Sequence, residues 1–166
     1  MSERVTEDLV LSEMQAVLGE NNFGFVFPQG QTPGLDKVNK ALKLAGGKPK
    51  HCPLSDYSGG GPGKAQPEYI ITFNKPHDTV MVVECKNSVK HHQSDNLDSP
   101  KDYAVDGALY YAKFLKQYYN VIALAVSGTK KDTLKVSTFY WKKGFDIYQE
   151  LSKGKDTLYT PTNYLK

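Results

Sequence analysis

The spacing of apolar residues in the first third of the chain predicts two helices. Residues 3–22 carry apolar side chains at helical intervals, and residues 34–45 repeat the pattern before a Gly-Gly pair that would end a helix. The first stripe consists of Val10, Met14, Val17 and Leu18. A short extended run at 23–28 separates the two helices, and the Gly- and Pro-rich residues 48–67 indicate a loop.

Two runs of apolar and β-branched residues in the middle of the chain predict a pair of strands. They cover residues 68–73 and 79–85, and the segment 74–78, which contains a proline, would form the turn between them. Strands joined by so short a turn are expected to pair in antiparallel fashion. A polar connection, residues 87–101, follows the second strand.

The last third of the chain predicts a helix followed by two strands. Residues 102–119 carry one apolar stripe, and residues 120–128 are almost wholly apolar, as in a strand buried on both faces. Residues 133–141 alternate and predict a further strand, residues 145–154 predict a short terminal helix, and residues 156–166 show no clear pattern. The stripe consists of Val105, Leu109, Ala112 and Leu115. A strand–helix–strand passage is typical of a crossover in a mixed sheet, so the fold class expected is α/β, with one central mixed β-sheet flanked by helices.

Length and composition limit the class of protein. At 166 residues the chain fits a single domain, 1–166, and no apolar run approaches the roughly 18–20 residues that a membrane helix needs. The polar, acidic N-terminus is not a secretory signal, and two cysteines make no disulfide framework, so we expect a cytoplasmic protein without a membrane partner. The net charge of +3 permits a nucleic-acid partner, but the charge alone favours an ordinary lysine-rich, solvated surface.

Two apparent motifs do not match the patterns that a phosphate-binding loop and a zinc site require. The sequence SGGGPGKA at 58–65 lacks the first glycine and the final hydroxyl residue of a phosphate-binding loop, and a strand rather than a helix follows it. The four histidines lack the spacing of a zinc site, although they could contact a phosphate.

The strongest chemical signal lies in the predicted strand pair. Because strand residues alternate between faces, Glu84 and Lys86 project on one side of the sheet and Cys85 projects on the other. Antiparallel pairing would bring Glu68, at the start of the first strand, close to both. Two carboxylates of this kind could bind Mg²⁺, and a nearby amine could stabilise the charge that develops on a phosphate. The alternative is a simple salt bridge at a strand end.

These residues resemble the PD-(D/E)XK nuclease superfamily. Pro67-Glu68 stands at its "PD" position and Glu84-Cys85-Lys86 at its "(D/E)XK" position. The sequence looks most like the nuclease domain of type I and combined restriction–modification polypeptides, and the resemblance covers residues 63–128. It implies a restriction-endonuclease-like fold.

The resemblance also implies roles for individual residues. Glu68 and Glu84 would be metal-binding carboxylates, the backbone carbonyl of Cys85 would be a further ligand, and Lys86 would be the catalytic lysine. The implied cofactor is Mg²⁺, for which Mn²⁺ can substitute. Glutamate instead of aspartate at position 68 is a departure that keeps the charge and adds one methylene.

Two further elements of the family are matched less well. The helix after the motif often carries Gln-x-x-x-Tyr, and here Asp106 stands at the Gln place and Tyr110 at the Tyr place, so half the element is matched. An acidic residue from the first helix often joins the site. Glu7 and Glu13 are the candidates, and Glu13 is slightly favoured.

The function expected from the resemblance is metal-dependent hydrolysis of double-stranded DNA by the cleavage domain of a restriction enzyme. Lys64 and His92 would be supporting or DNA-contacting residues. Translocase, methyltransferase and recognition domains would be partners, the chain would be a fragment of a larger polypeptide, and a transient dimer would serve double-strand cleavage. The alternative is a catalytically silent nucleic-acid-binding or docking module on the same fold.

Overall fold

A computed structural model describes residues 4–21, 24–29, 32, 34–54 and 62–155, which form three α-helices and six strands. The helices are α1 (Arg4–Asn21), α2 (Asp36–Ala45) and α3 (Ala104–Leu115). The strands are β1 (Gly24–Pro28), β2 (Tyr69–Phe73), β3 (Thr79–Lys86), β4 (Asn120–Ser127), β5 (Lys135–Trp141) and β6 (Gln149–Lys155). The tail at 156–166 and part of the predicted loop at 48–67 lie outside the described residues.

The strands form one open mixed sheet in chain order, from β1 to β6. All neighbouring strands are antiparallel except β3 and β4, which are parallel and are connected through α3. The predicted α/β class with a central mixed sheet is therefore confirmed. The predicted antiparallel pairing of the two central strands is also confirmed, with Tyr69 opposite Val83.

Helices cover both faces of the sheet. On one face, α1 packs Val10 and Met14 against the odd-numbered residues of β3, which include Cys85. On the other face, α2 and α3 pack together over the even-numbered residues. The buried stripe of α2 is Val38, Ala41, Leu42 and Ala45, and the helix ends at Gly46, whose φ of 64° suits a residue without a Cβ.

Helix α3 lies between the sheet, α2 and the loop before it, and every residue of α3 is buried. Its small residues, among them Ala104, Gly107 and Ala108, allow this close approach from several sides. None of the helices formed by the described residues is long and apolar enough to cross a membrane.

The predicted terminal helix at 145–154 is wrong, because the chain turns back and forms β6 instead. The turn passes through Gly144, which has a φ of 75°, and Trp141 Nε1 donates a hydrogen bond of 2.8 Å to the carbonyl oxygen of Phe145. Strand β6 then pairs with β5, which would otherwise present unpaired backbone groups at the edge of the sheet. Backbone pairing therefore outweighs a weak helical pattern.

Strands β3 and β4 end, and β2 begins, at the same end of the sheet, which is called the site edge. The β2–β3 ladder stops at the pair Tyr69–Val83, whereas the β3–β4 ladder continues to Lys86 opposite Ser127. The last three residues of β3 are therefore paired with β4 on one side and lie next to the entrance to β2 on the other. This edge holds the candidate site.

Candidate active site

The structure brings Glu68 and Glu84 together at this edge. Glu68 directly precedes β2 and is 4% exposed, and Glu84 lies in β3 and is fully buried. Their carboxyl groups are close enough for their charges to interact. Glu84 faces α3, while the neighbouring Cys85 packs in the core beneath α1, as the alternation of strand residues predicts.

The two carboxyl groups lie in an unfavourable environment for negative charge. Burial, and then the charge of Glu84, raise the pKa of Glu68 well above its ordinary value. Within the described part of the chain, Glu68 Oε2 and Glu84 Oε1 are buried without a hydrogen-bond partner. Buried polar atoms normally have partners, so these two oxygens indicate a place for a ligand.

Lys48 supplies a positive charge that the sequence motif did not reveal. Its Nζ lies 2.5 Å from Glu84 Oε2, and its side chain is 15% exposed. Burial alone would lower the pKa of Lys48, but the carboxylates of Glu84 and Glu68 outweigh burial and hold that pKa above its ordinary value. The protein's own ammonium group therefore neutralises part of the site.

The backbone after α2 explains how Lys48 reaches the site. Gly47 donates a hydrogen bond of 3.1 Å to the carbonyl oxygen of Gly63, which ties the end of α2 to the segment that leads into β2. A Cβ at Gly47 would lie only 2.2 Å from the carbonyl oxygen of Pro62, so the approach requires glycine. In the sequence, the Gly46-Gly47 pair predicted only the end of a helix, and it gave no indication that Lys48 reaches the site.

The side of α3 that faces the carboxyl groups carries Gly107 and Tyr111. A Cβ at Gly107 would lie 3.2 Å from Glu84 Oε2, so the helix backbone passes directly over the carboxyl group. The Tyr111 hydroxyl accepts a hydrogen bond of 3.1 Å from the backbone nitrogen of Gln66, and Lys48 Nζ lies 5.9 Å from the centre of the Tyr111 ring. Burial, and then the charge of Glu84, raise the pKa of this hydroxyl.

Asp106 and Tyr110, the pair expected from the sequence, make other contacts. Asp106 accepts hydrogen bonds from the backbone nitrogens of Ser94, at 3.1 Å, and Ser99, at 2.9 Å, and also from the Ser94 hydroxyl. The Tyr110 hydroxyl donates to the carbonyl oxygen of Ala45. Both residues thus hold neighbouring segments against α3, and the site-facing pair lies one residue further along the helix.

Lys86 and the carbonyl of Cys85 remain at the edge of the sheet. Lys86 lines a cavity of about 270 Å³ together with His91, Asp102 and Tyr103. The Lys86 carbonyl accepts a hydrogen bond of 3.0 Å from Gly128 on the β4 side. Because carbonyl directions alternate along a strand, the Cys85 carbonyl points to the β2 side, where Glu68 lies.

The first helix presents its beginning, not its middle, to this edge. The Thr6 hydroxyl donates to the carbonyl oxygens of Lys86, at 3.2 Å, and Gly128, at 2.5 Å. Glu13 lies about 10 Å further along the helix axis, at about 1.5 Å per residue. The structure therefore does not bring Glu13 to the carboxyl pair, and Glu7, whose carbonyl accepts a 3.1 Å hydrogen bond from the Tyr69 hydroxyl, lies nearer.

His92 and Lys64 occupy different environments from each other. His92 is 6% exposed, and its ring nitrogens hydrogen-bond the hydroxyls of Ser127, at 2.8 Å, and Ser137, at 2.7 Å. Burial, and then the charge of Lys135, lower the pKa of His92 to about 4, which favours the neutral ring. Lys64 is exposed and lines a cavity of about 420 Å³ between α2 and the start of β2.

The donor atoms at the carboxyl pair fit a hard divalent cation in part. Two carboxylate oxygens without partners, beside a carbonyl directed to the same side, are ligands that Mg²⁺ prefers, and Mg²⁺ usually retains several waters. Among the described residues, however, no group of three or more His, Cys, Asp or Glu side chains is placed to hold a metal ion. Any metal here would therefore rely on two carboxylates, the backbone and water.

Comparison of the chain with protein-family models, with curated proteins and with solved structures found no match.

Proposed function

We propose that this protein is a metal-dependent DNA endonuclease domain that hydrolyses phosphodiester bonds, with a restriction-endonuclease-like fold and Glu68, Glu84 and Lys86 as its catalytic residues. One observation carries the proposal. Two glutamates, sixteen positions apart in the sequence, form a buried pair in which Glu68 Oε2 and Glu84 Oε1 have no hydrogen-bond partner among the described residues. Keeping such a pair has a cost in stability, which binding of a cation would offset.

Each residue would have a distinct part in the chemistry. Glu68 and Glu84, with the Cys85 carbonyl, would hold Mg²⁺, and the bound ion would polarise the phosphate and lower the pKa of an attacking water. Lys86, which lines its cavity, would place an ammonium group beside the phosphate and stabilise its developing negative charge. Burial of β3 on both faces would keep these groups rigidly in position.

The surface around the site supports a nucleic-acid substrate. Lys90 and Lys101 are exposed on the segments that follow β3, and Lys135 is exposed where β5 begins opposite the end of β4. These three lysines lie around the end of the sheet at which β3 and β4 end, where they could contact the phosphates of a DNA strand. Double-stranded DNA is the substrate that the resembling family implies, and translocase, methyltransferase and recognition domains would select its sequence.

The alternative is a catalytically silent DNA-binding or docking module on the same fold. The observation that favours it is the position of Lys48, whose ammonium group already contacts Glu84 and so lessens the need for a metal. A silent module would bind DNA through the lysines around the edge of the sheet without cutting it.

Cleavage of supercoiled plasmid DNA distinguishes the two functions. In Mg²⁺ the wild-type protein should produce nicked or linear DNA, and Glu84→Gln and Lys86→Met should each reduce the rate by at least about 100-fold. Glu150→Gln, at an exposed glutamate of β6, is the matched control and should leave the rate unchanged. EDTA should stop the wild-type reaction.

If Glu84→Gln and Lys86→Met both cut DNA as fast as the wild type, the proposed site is wrong. If the wild-type protein binds DNA but does not cut it in Mg²⁺ or Mn²⁺, the silent module is the better description. Single-stranded DNA and RNA tested in parallel would define the substrate class.

A further inference from the structure

The cation that contacts the carboxyl pair in the described structure is the protein's own. Lys48 Nζ lies 2.5 Å from Glu84 Oε2, and Lys48 is also close enough to Glu68 for their charges to interact. The remaining oxygens, Glu84 Oε1 and Glu68 Oε2, have no partner within the described residues. Lys48 thus neutralises one side of the pair and leaves the other side open.

We propose that Lys48 is an internal counter-ion of the carboxyl pair, which holds Glu84 in place when no metal is bound and weakens the affinity of the pair for divalent cations. This rests on the proposed function, because it assumes that the pair is a metal site. It assigns Lys48 a positioning role that differs from the catalytic role of Lys86.

Packing keeps the ammonium group of Lys48 in the site. Lys48 Cδ lies against the backbone of Gly107, where an added Cβ would come within 3.2 Å of it, and Lys48 Nζ lies over the Tyr111 ring, 5.9 Å from its centre. A side chain enclosed in this way does not leave freely when a second cation arrives. Because like charges a few ångströms apart repel strongly in a partly buried site, the lysine should reduce the affinity for a divalent ion.

The same charge arrangement predicts cooperation between metal and substrate. A phosphodiester brings negative charge to a site that holds both Lys48 and the metal, so it should attract both cations. The metal should therefore bind weakly to the free protein and more tightly when DNA is present. Such coupling would limit metal loading, and so cleavage, to the DNA-bound protein.

Calorimetric titration of the protein with Mn²⁺ in the absence of DNA tests the proposal. Lys48→Gln removes the charge but retains a hydrogen-bond donor for Glu84, and we expect it to bind Mn²⁺ at least about tenfold more tightly than the wild type. Lys48→Arg retains the charge and should bind like the wild type. The matched control Lys50→Met, at an exposed lysine two positions away, should have no effect.

Melting of the same variants in EDTA provides a second measurement. Lys48→Met, which leaves Glu84 without a donor or a counter-ion, should melt at a lower temperature than Lys48→Gln. If the wild type binds Mn²⁺ and Lys48→Gln binds it equally or more weakly, the counter-ion role is overturned while the metal site stands. If neither protein binds Mn²⁺ at millimolar concentration, the proposed metal site fails, and the role of Lys48 fails with it.

Discussion

Replacing Glu68 with glutamine should stabilise the metal-free protein while abolishing the proposed metal binding. In the wild type, Glu68 must either keep a negative charge in a buried site beside Glu84 or take up a proton on folding. Glutamine has neither cost, and its amide group can donate a hydrogen bond to Glu84 Oε1, which has no partner in the described structure. A buried polar atom without a partner costs about 1–3 kcal/mol, so Glu68→Gln should raise the free energy of unfolding by about 2 kcal/mol at pH 7.5. For a domain of this size that corresponds to an increase of about 4–8 °C in Tm.

The gain should depend on pH in a definite direction. Because the folded-state pKa of Glu68 is raised above its unfolded value of 4.5, its contribution favours folding at low pH and is lost as the pH rises. The unfolding free energy of the wild type should therefore fall, relative to that of Glu68→Gln, by up to about 1.4 kcal/mol per pH unit above pH 4.5, until the folded-state pKa is passed. Near pH 4 the two proteins should differ little.

Urea unfolding in EDTA and in Mg²⁺ measures both effects. Excess Mg²⁺ should stabilise the wild type by about 2.7 kcal/mol when its concentration is one hundred times the Kd, and should leave Glu68→Gln unchanged. The control Glu150→Gln should follow the wild type in every condition. The reasoning is refuted if Glu68→Gln is no more stable than the wild type in EDTA at pH 7.5, or if Mg²⁺ stabilises both equally.

Three further substitutions test the surroundings of the site. Because the folded-state pKa of His92 is lowered to about 4, the contribution of His92 to stability should fall by up to about 3 kcal/mol as the pH drops from about 6.5 to about 4. Urea titrations should therefore show that the free energy of unfolding of the wild type falls over this range relative to that of His92→Gln, and that the exposed control His77→Gln follows the wild type. Gly107→Ala should lower the free energy of unfolding by about 1–2 kcal/mol, although alanine has the better helix propensity, because its Cβ would lie 2.8 Å from the carbonyl oxygen of Pro100. A variant more stable than the wild type would contradict this. Asp106→Asn should lower the free energy of unfolding by about 2–3 kcal/mol, because the amide nitrogen of asparagine would face a backbone N–H that now donates to a carboxylate oxygen. A decrease of less than about 0.5 kcal/mol would argue against the role given to Asp106.

The carboxyl pair could be predicted from the sequence because it depends on local geometry. The alternation of strand residues places Glu84 on one face and Cys85 on the other, and a short turn between two strands brings the start of β2 to the end of β3. These relations involve residues close in sequence and few degrees of freedom. The pairing of Glu68 with Glu84 follows from them.

Lys48 could not be predicted in the same way. Its arrival depends on the path of the chain between α2 and β2, and on the backbone contact between Gly47 and the 62–63 segment. Nothing in the local pattern distinguishes Lys48 from its exposed neighbour Lys50. A contact between distant segments of this kind becomes visible only in three dimensions.

The side of α3 that faces Glu84 could not be predicted for a different reason. Consecutive residues of a helix differ in direction by about 100°, so a shift of one position exchanges Asp106 and Tyr110 for Gly107 and Tyr111. Because α3 is buried on all sides, its apolar residues do not mark a single inner face, and the sequence cannot distinguish the side toward Glu84 from the side toward α2. In the structure, Gly107 and Tyr111 lie on the side of α3 toward Glu84, one position along the helix from Asp106 and Tyr110.

The most direct test of the metal site is a crystal structure of the protein soaked in Mn²⁺, with anomalous scattering used to locate the ion. We expect one anomalous peak within bonding distance, about 2.1 Å, of oxygens from both Glu68 and Glu84. We also expect that the Lys48 ammonium group remains in the site. An empty carboxyl pair at high Mn²⁺ concentration, or a peak bound elsewhere on the chain, would contradict the proposed metal site and the nuclease function that depends on it.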